Sequence, residues 1–302
     1  MSTEGGKKAV VAALAANLGI AVSKFIAFAF TGSSSMLSEA IHSVADSGNQ
    51  VLLLIGNKRA QQAPDERHPF GYGRRRYVYG FIVSVVLFLV GGVFSLYEGW
   101  HKWTHPEPLN DAWIAFLVLI VAIVLESLSF RTAFREANAA RGTRSLARFV
   151  RDARQPELPV ILLEDLGALV GLVFALCGVT AAVVTGDGRF DAIGAMAVGL
   201  LLLVIAIFLA IEMANMLVGE AALPEEVAAI RAALENSPAV EQVIHLRTLH
   251  VGPDELLVGA KVAIRHDNTA PQIARGIDDA EADIRAAVPT AVYIFIEPDL
   301  LR

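Results

Sequence analysis

The chain has 302 residues, 55% hydrophobic and 19% charged, with a formal net charge of −6 and a mean hydropathy of +0.53. Soluble domains carry roughly 45–50% apolar and about 25% charged residues, and the apolar surplus here falls in long blocks, which excludes an ordinary soluble protein. The lone cysteine, Cys177, excludes a disulfide framework and a cysteine-based zinc site.

In chain order, MSTEGGKK is too short for a transit peptide, and the apolar block after it is too long for a signal sequence, so that block reads as a retained helix. Residues 9–23, 77–97, 112–125, 166–186 and 192–211 contain no Asp, Glu, Lys or Arg. A membrane span needs about 20 mainly apolar residues. These blocks and their modestly polar ends predict six transmembrane helices, at 9–31, 34–57, 77–100, 111–134, 159–185 and 189–218. Lys and Arg concentrate on one side: Lys7 and Lys8 before the first span, Lys58, Arg59, Arg67 and Arg74 to Arg76 after the second, and seven arginines from Arg131 to Arg154 after the fourth. Only Lys102 and Arg189 lie on the other side. Both termini are therefore expected in the cytoplasm.

From Glu220 the texture changes. Pro224 opens a short helix with Glu225 and Glu226 in its first turn, where acids are favoured. Two strand-like runs, 242–251 and 256–265, flank the turn residues Gly252, Pro253 and Asp254. A helix over 271–288 and a strand over 291–297 complete an αββαβ order. The expected architecture is an α-helical membrane protein: a six-helix transmembrane domain over 1–219 and a small α+β cytoplasmic domain over 220–302. That small domain holds fourteen acids against seven bases. It should stand off an anionic membrane surface, and the chain lacks the basic footprint that nucleic-acid binding needs.

Ionisable residues at membrane depth are expensive and mark function. In SEAIHSVADSGNQ, His42 and Asp46 are four apart and share a helix face. That spacing suits two ligands of one metal ion. The fifth span opens with PVILLEDLGALVGLVF, which puts Glu164 and Asp165 one to two turns inside. Adjacent helical residues diverge by about 100°, so at most one of them aims straight at a shared centre. Lys24 either snorkels or neutralises an acid such as Glu39. Glu98 and His101 read as interfacial. Glu126, in LVLIVAIVLESLSF, is expected to form a structural ion pair with Arg131, five residues on.

These residues resemble the cation diffusion facilitator family of divalent-metal transporters, and the likeness runs nearly the whole length. The second span matches the family's HxxxD or DxxxD ligand pair. The loop DERHPFGYGRRRY is similar to its D-x-x-H-P-[FY]-G-H-G-K-x-E. YEGWHKWTHPEPL, the sixth span DAIGAMAVGLLLLVIAIFLAIEMANMLVGEA, and the pattern IHLRTLHVGP with VYIFIEPD also match. The departures are informative. Aligning Asp165 with the second member of the fifth-span pair puts Ile161 at the first, which leaves Glu164 as the nearby substitute. The LLED version looks like the zinc/iron branch, related to mitochondrial zinc exporters. Asp65 and His68 could form a peripheral metal site, but Tyr72 replaces the loop's second His and Arg76 its Glu. Ile244 and Phe295 stand where the soluble domain's bridging zinc site needs histidines. That site is expected to be absent, unless His245, His250 or His266 rebuild one. An Arg-rich loop, RFVRDARQ, replaces the His-rich loop of eukaryotic members, which looks like a prokaryotic relative.

The resemblance implies a transporter rather than an enzyme, in the cell (inner) membrane, with protons as its second partner and the lipid bilayer around it. His42, Asp46, Asp165 and Glu164 would bind Zn²⁺ between the second and fifth spans, as transported substrate with no cofactor. Carboxylate-rich ligation would also admit Mn²⁺ or Fe²⁺. Metal binding displaces protons from its ligands, so metal/proton antiport out of the cytoplasm follows, by rocking of a helix bundle in a homodimer. Gly19, Gly56, Gly91 and Gly92 would allow the close helix contacts that such motion needs. The alternatives are a metal-binding scaffold or sensor without transport, and a membrane metalloenzyme. The enzyme reading lacks an HExxH or a second His cluster in the membrane part.

Overall fold

A computed structural model describes residues 3–106, 109, 111–265 and 267–300, and of residues 3–16 the backbone alone. The first long helices are α1 (Thr3–Thr31) and α2 (Ser34–Ala60). A single rod over Arg75–Thr104 follows, made of α3 (Arg75–Val86), a π-helical stretch (Leu87–Val93) and α4 (Phe94–Thr104). Next come α5 (Ala112–Ala140), the short α6 (Leu146–Asp152), α7 (Glu157–Thr185) and α8 (Arg189–Val218). The rod, α5, α7 and α8 are each long and apolar enough to cross a membrane. In α1 the described apolar stretch is Asn17–Thr31. α2 is set apart by its polar stripe of Glu39, His42, Ser43, Asp46 and Asn49, all on one face.

Helix boundaries follow local chemistry. Gly32 turns the chain between α1 and α2 at φ 63°, and Gly186 ends α7 at φ 72°, a conformation that only glycine adopts without strain. Asp191 of α8 caps α2: its Oδ2 accepts from the backbone N–H of Ser34 at 2.7 Å and its Oδ1 from the Ser33 hydroxyl at 2.8 Å. Helices also meet at small residues. A Cβ on Gly178 of α7 would lie 3.0 Å from the Gly194 Cα of α8, and one on Gly92 would lie 2.6 Å from Leu203. Gly56 and Gly91 are similarly tight against Tyr79 and Leu202, whereas Gly19, expected to make such a contact, has no neighbour within 4 Å among the described residues.

The chain divides into two compact units: 1–56 with 78–151 and 156–213, and 57–77 with 152–155 and 214–302. The second carries α9 (Pro224–Asn236), β1 (Val240–Gly252), β2 (Glu255–Ile264), α10 (Ala270–Ala287) and β3 (Ala291–Asp299). The sheet order is β1-β2-β3, antiparallel between β1 and β2 and parallel between β2 and β3. Leu256, Val258, Ala260 and Val262 of β2 point into one core with Ile230 and Leu234 of α9 and Ile284 of α10. The αββαβ order is the expected one. α6 and the π-helical stretch were not expected from the sequence.

Candidate metal site in the membrane unit

A small cavity of about 20 Å³ lies among four helices of the first unit. Its walls are Asn17 and Ile20 of α1, Ser43, Asp46 and Gln50 of α2, Glu126 and Ser129 of α5, and Ile161, Glu164 and Asp165 of α7. The volume admits about one water-sized occupant, since a water needs roughly 10–15 Å³ measured this way. Three of the four expected ligands, Asp46, Asp165 and Glu164, line it together. Ile161 lines it too, so the position where a histidine or aspartate is missing does face the cavity.

His42 is fully buried beside it, its Nε2 3.4 Å from Asp46 Oδ2. His42 itself does not line the cavity, and among the described residues neither of its ring nitrogens has a hydrogen-bond partner. The other acids are held by neutral donors. Asn49 Nδ2 donates to Glu164 Oε1 at 2.7 Å, and the Ser129 hydroxyl donates to Asp165 Oδ2 at 2.9 Å. Among the described residues no three His, Cys, Asp or Glu side chains gather closely enough to hold one ion in this conformation. A tetrahedral shell therefore needs these side chains to draw closer together, and the second carboxylate oxygen of each α7 acid is not engaged by its donor.

The structure decides the readings of three further charged residues that the sequence singled out. Glu126 was expected to pair with Arg131; that ion pair is absent, and Glu126 faces the cavity as a fourth carboxylate. Five residues along a helix turn two side chains some 140° apart, which is why the pair does not form. Lys24 does not snorkel. It is fully buried, with Nζ 3.0 Å from Glu39 Oε2 and donating to the Ser43 hydroxyl at 2.8 Å. Glu39 Oε1 lies where a Cβ on Gly171 would come within 2.8 Å, so that glycine leaves room for the pair. Glu98 Oε1 accepts from the Ser34 hydroxyl at 3.0 Å.

The peripheral candidates are arranged differently. Asp65 accepts from the backbone N–H groups of Arg67 and His68 and from the Tyr72 hydroxyl at 2.6 Å. Tyr72, followed by those amides, holds the Asp65 carboxyl below its ordinary range. His68 Nδ1 lies 3.5 Å from Asp65, and the pair is exposed. Asp65 is thus already committed to closing its own loop. In the C-terminal sheet Ile244 and Phe295 are exposed, while His250 is buried. Burial, then the nearby Arg154, pushes the His250 imidazole down from its ordinary range. His245 is exposed on β1, and His266 lies outside the described residues.

Exchanging Glu164 for Gln tests whether this carboxylate takes part in binding the ion. Both α7 acids line the cavity, so Glu164→Gln is expected to weaken metal binding as severely as Asp165→Asn in calorimetric titration. Unchanged affinity in Glu164→Gln would remove Glu164 from the ion's coordination shell.

A family profile described as the cation efflux transmembrane domain matches residues 10–218. The chain is 33% identical over 261 residues to the human mitochondrial proton-coupled zinc antiporter SLC30A9, covering 86% of this chain and 46% of that protein. It is 28% identical to metal tolerance protein C4 of Arabidopsis thaliana, covering 87% and 58%. It is 25% identical to the cation-efflux pump FieF of Pectobacterium atrosepticum, covering 95% and 90%. The chain spans about half the length of the mitochondrial relatives it matches. A solved MamM C-terminal domain (residues 215–293) is 21% identical, covering 25% of this chain and 95% of that one, with a TM-score of 0.24. The chain belongs to the cation efflux family and is a multi-pass membrane protein.

Proposed function

We propose that this cation efflux protein exports Zn²⁺, and admits Mn²⁺ or Fe²⁺, by metal/proton antiport through the cavity between α2 and α7. The observation that carries the reading is the convergence of Asp46, Glu126, Glu164 and Asp165 on a space the size of one ion. Carboxylates that close repel one another unless a cation or protons stand between them. A divalent ion and a set of protons are therefore alternative occupants, and loading one expels the other. Zinc accepts such oxygen donors together with an imidazole, and the oxygen-rich set also suits harder divalent ions.

Six membrane crossings are part of the reading, with α1 and α2 added to the four strongly apolar helices. α2 can cross despite its polarity because its charged stripe faces the bundle interior. The Lys and Arg distribution supports an inner-membrane orientation with both termini cytoplasmic. We also assign the cytoplasmic domain a homodimer interface, supported by the exposed Ile244, Val292 and Phe295 on the sheet.

The test is a panel of Zn²⁺, Mn²⁺, Fe²⁺, Co²⁺ and Cd²⁺ in proteoliposomes at two internal pH values. Zinc flux that accelerates when the trans side is more acidic is the expected result. Metal binding with no flux under any gradient would replace antiport by the scaffold reading.

A further inference from the structure

An open, almost wholly apolar groove of about 580 Å³ runs along the outside of α7. Phe130 of α5, Val150 and Arg151 of α6, Leu163 and Leu166 of α7, and Phe208 of α8 are among its walls. The volume falls in the roughly 300–1,000 Å³ range of ligand-sized pockets. One charged side chain stands on it. Arg151 is exposed and makes no hydrogen bond or ion pair among the described residues. A single guanidinium at the end of a greasy channel, on a membrane-embedded unit, complements one molecule that is anionic at one end and hydrocarbon at the other. Free anions lack the hydrocarbon part.

The groove is also placed to matter. At about 100° per residue, Leu162, Leu163 and Leu166 project from α7 roughly 150° away from Ile161, Glu164 and Asp165, which line the acidic cavity. The same pattern recurs on α5, where Ser129 faces the cavity and its neighbour Phe130 the groove. One short length of two helices thus has the acids on one side and the groove on the other. α6 closes the groove because its Leu146, Phe149 and Val150 pack against Ala133 and Ala137 of α5 and Leu162 of α7, which leaves Arg151 at the rim.

We propose that this groove binds an acidic phospholipid, with an acyl chain along Leu163 and Leu166 and the phosphate on Arg151. Arginine suits the phosphate because its planar fork can donate two parallel hydrogen bonds. The assignment is independent of whether the cavity transports zinc, because its test reads lipid and not flux.

The full chain, stripped of lipid in detergent, is exposed to mixed phosphatidylglycerol and phosphatidylcholine, and retained lipid per chain is read by mass spectrometry. Wild type is expected to retain about one phosphatidylglycerol in preference to phosphatidylcholine. Arg151→Gln should reduce that preference about fivefold, the effect of about one interfacial cation, with both lipids still able to enter. Leu166→Trp, which fills the groove, should reduce retention of both. An unchanged preference in Arg151→Gln would overturn the assignment. So would displacement of the lipid by inorganic phosphate alone, which would mark a bare anion site. Efficient disulfide crosslinking of Leu166→Cys to a second copy in native membranes would likewise overturn it, by making the groove a subunit contact.

Discussion

Replacing Asp46 with alanine is expected to abolish metal transport while leaving a folded protein. Its carboxylate occupies the junction of the site: it lines the acidic cavity and lies 3.4 Å from His42 Nε2. Without it, the proposed site loses the α2 carboxylate that lines the cavity, and the neutral Asn49 is left as the α2 partner of Glu164. Loss of an outer-shell partner in a metal site typically costs 10–100-fold, so, with Asp46 as the proposed direct ligand, its loss should exceed about 100-fold in flux. The side chain is small, so alanine leaves little cavity behind, and size-exclusion profiles should match wild type. His42→Ala and Asp165→Ala should behave likewise. Wild-type flux in Asp46→Ala would break the site assignment.

Lys24→Met is expected to destabilise the membrane unit severely. Lys24 and Glu39 are both fully buried and 3.0 Å apart. Removing one partner leaves an uncompensated buried charge, which typically costs about 3–5 kcal/mol. Solvent screening does not discount the figure, because neither group is exposed. Glu39→Gln added to Lys24→Met removes the stranded charge and should recover most of the loss. Thermal unfolding in detergent of the single and double variants reads both effects. A single variant as stable as wild type, or a double variant no better than the single, would show that the pair is not what holds α1 to α2.

Much of this was legible in the residues. Charge-free blocks marked five of the long helices, with ends off by up to six residues in α1 and α5, because hydrocarbon disfavours unpaired charge, and the αββαβ order followed from turn chemistry and strand-like runs. His42 and Asp46 stood out because a four-residue spacing fixes a shared face. What stayed hidden depends on which way a helix turns in its bundle. Glu126 sits in an apolar run with one arginine in reach, and nothing local says that it faces inward toward Asp46. Asn49 and Ser129 carry no charge, so their hold on Glu164 and Asp165 had no signal. Asp191 reads as an ordinary first-turn acid, although it caps a different helix some 160 residues earlier in the chain. The position of His42 behind Asp46, rather than in the cavity wall, is likewise a matter of packing that spacing alone does not encode.

The most direct measurement of the central claim follows zinc and protons together in proteoliposomes, with a zinc-sensitive dye inside and a pH-sensitive dye reporting counterflow. We expect zinc entry in wild type to be matched by proton exit in fixed proportion, with both signals lost in His42→Ala. Zinc entry with no proton movement, or proton-coupled entry that survives in His42→Ala, would contradict it.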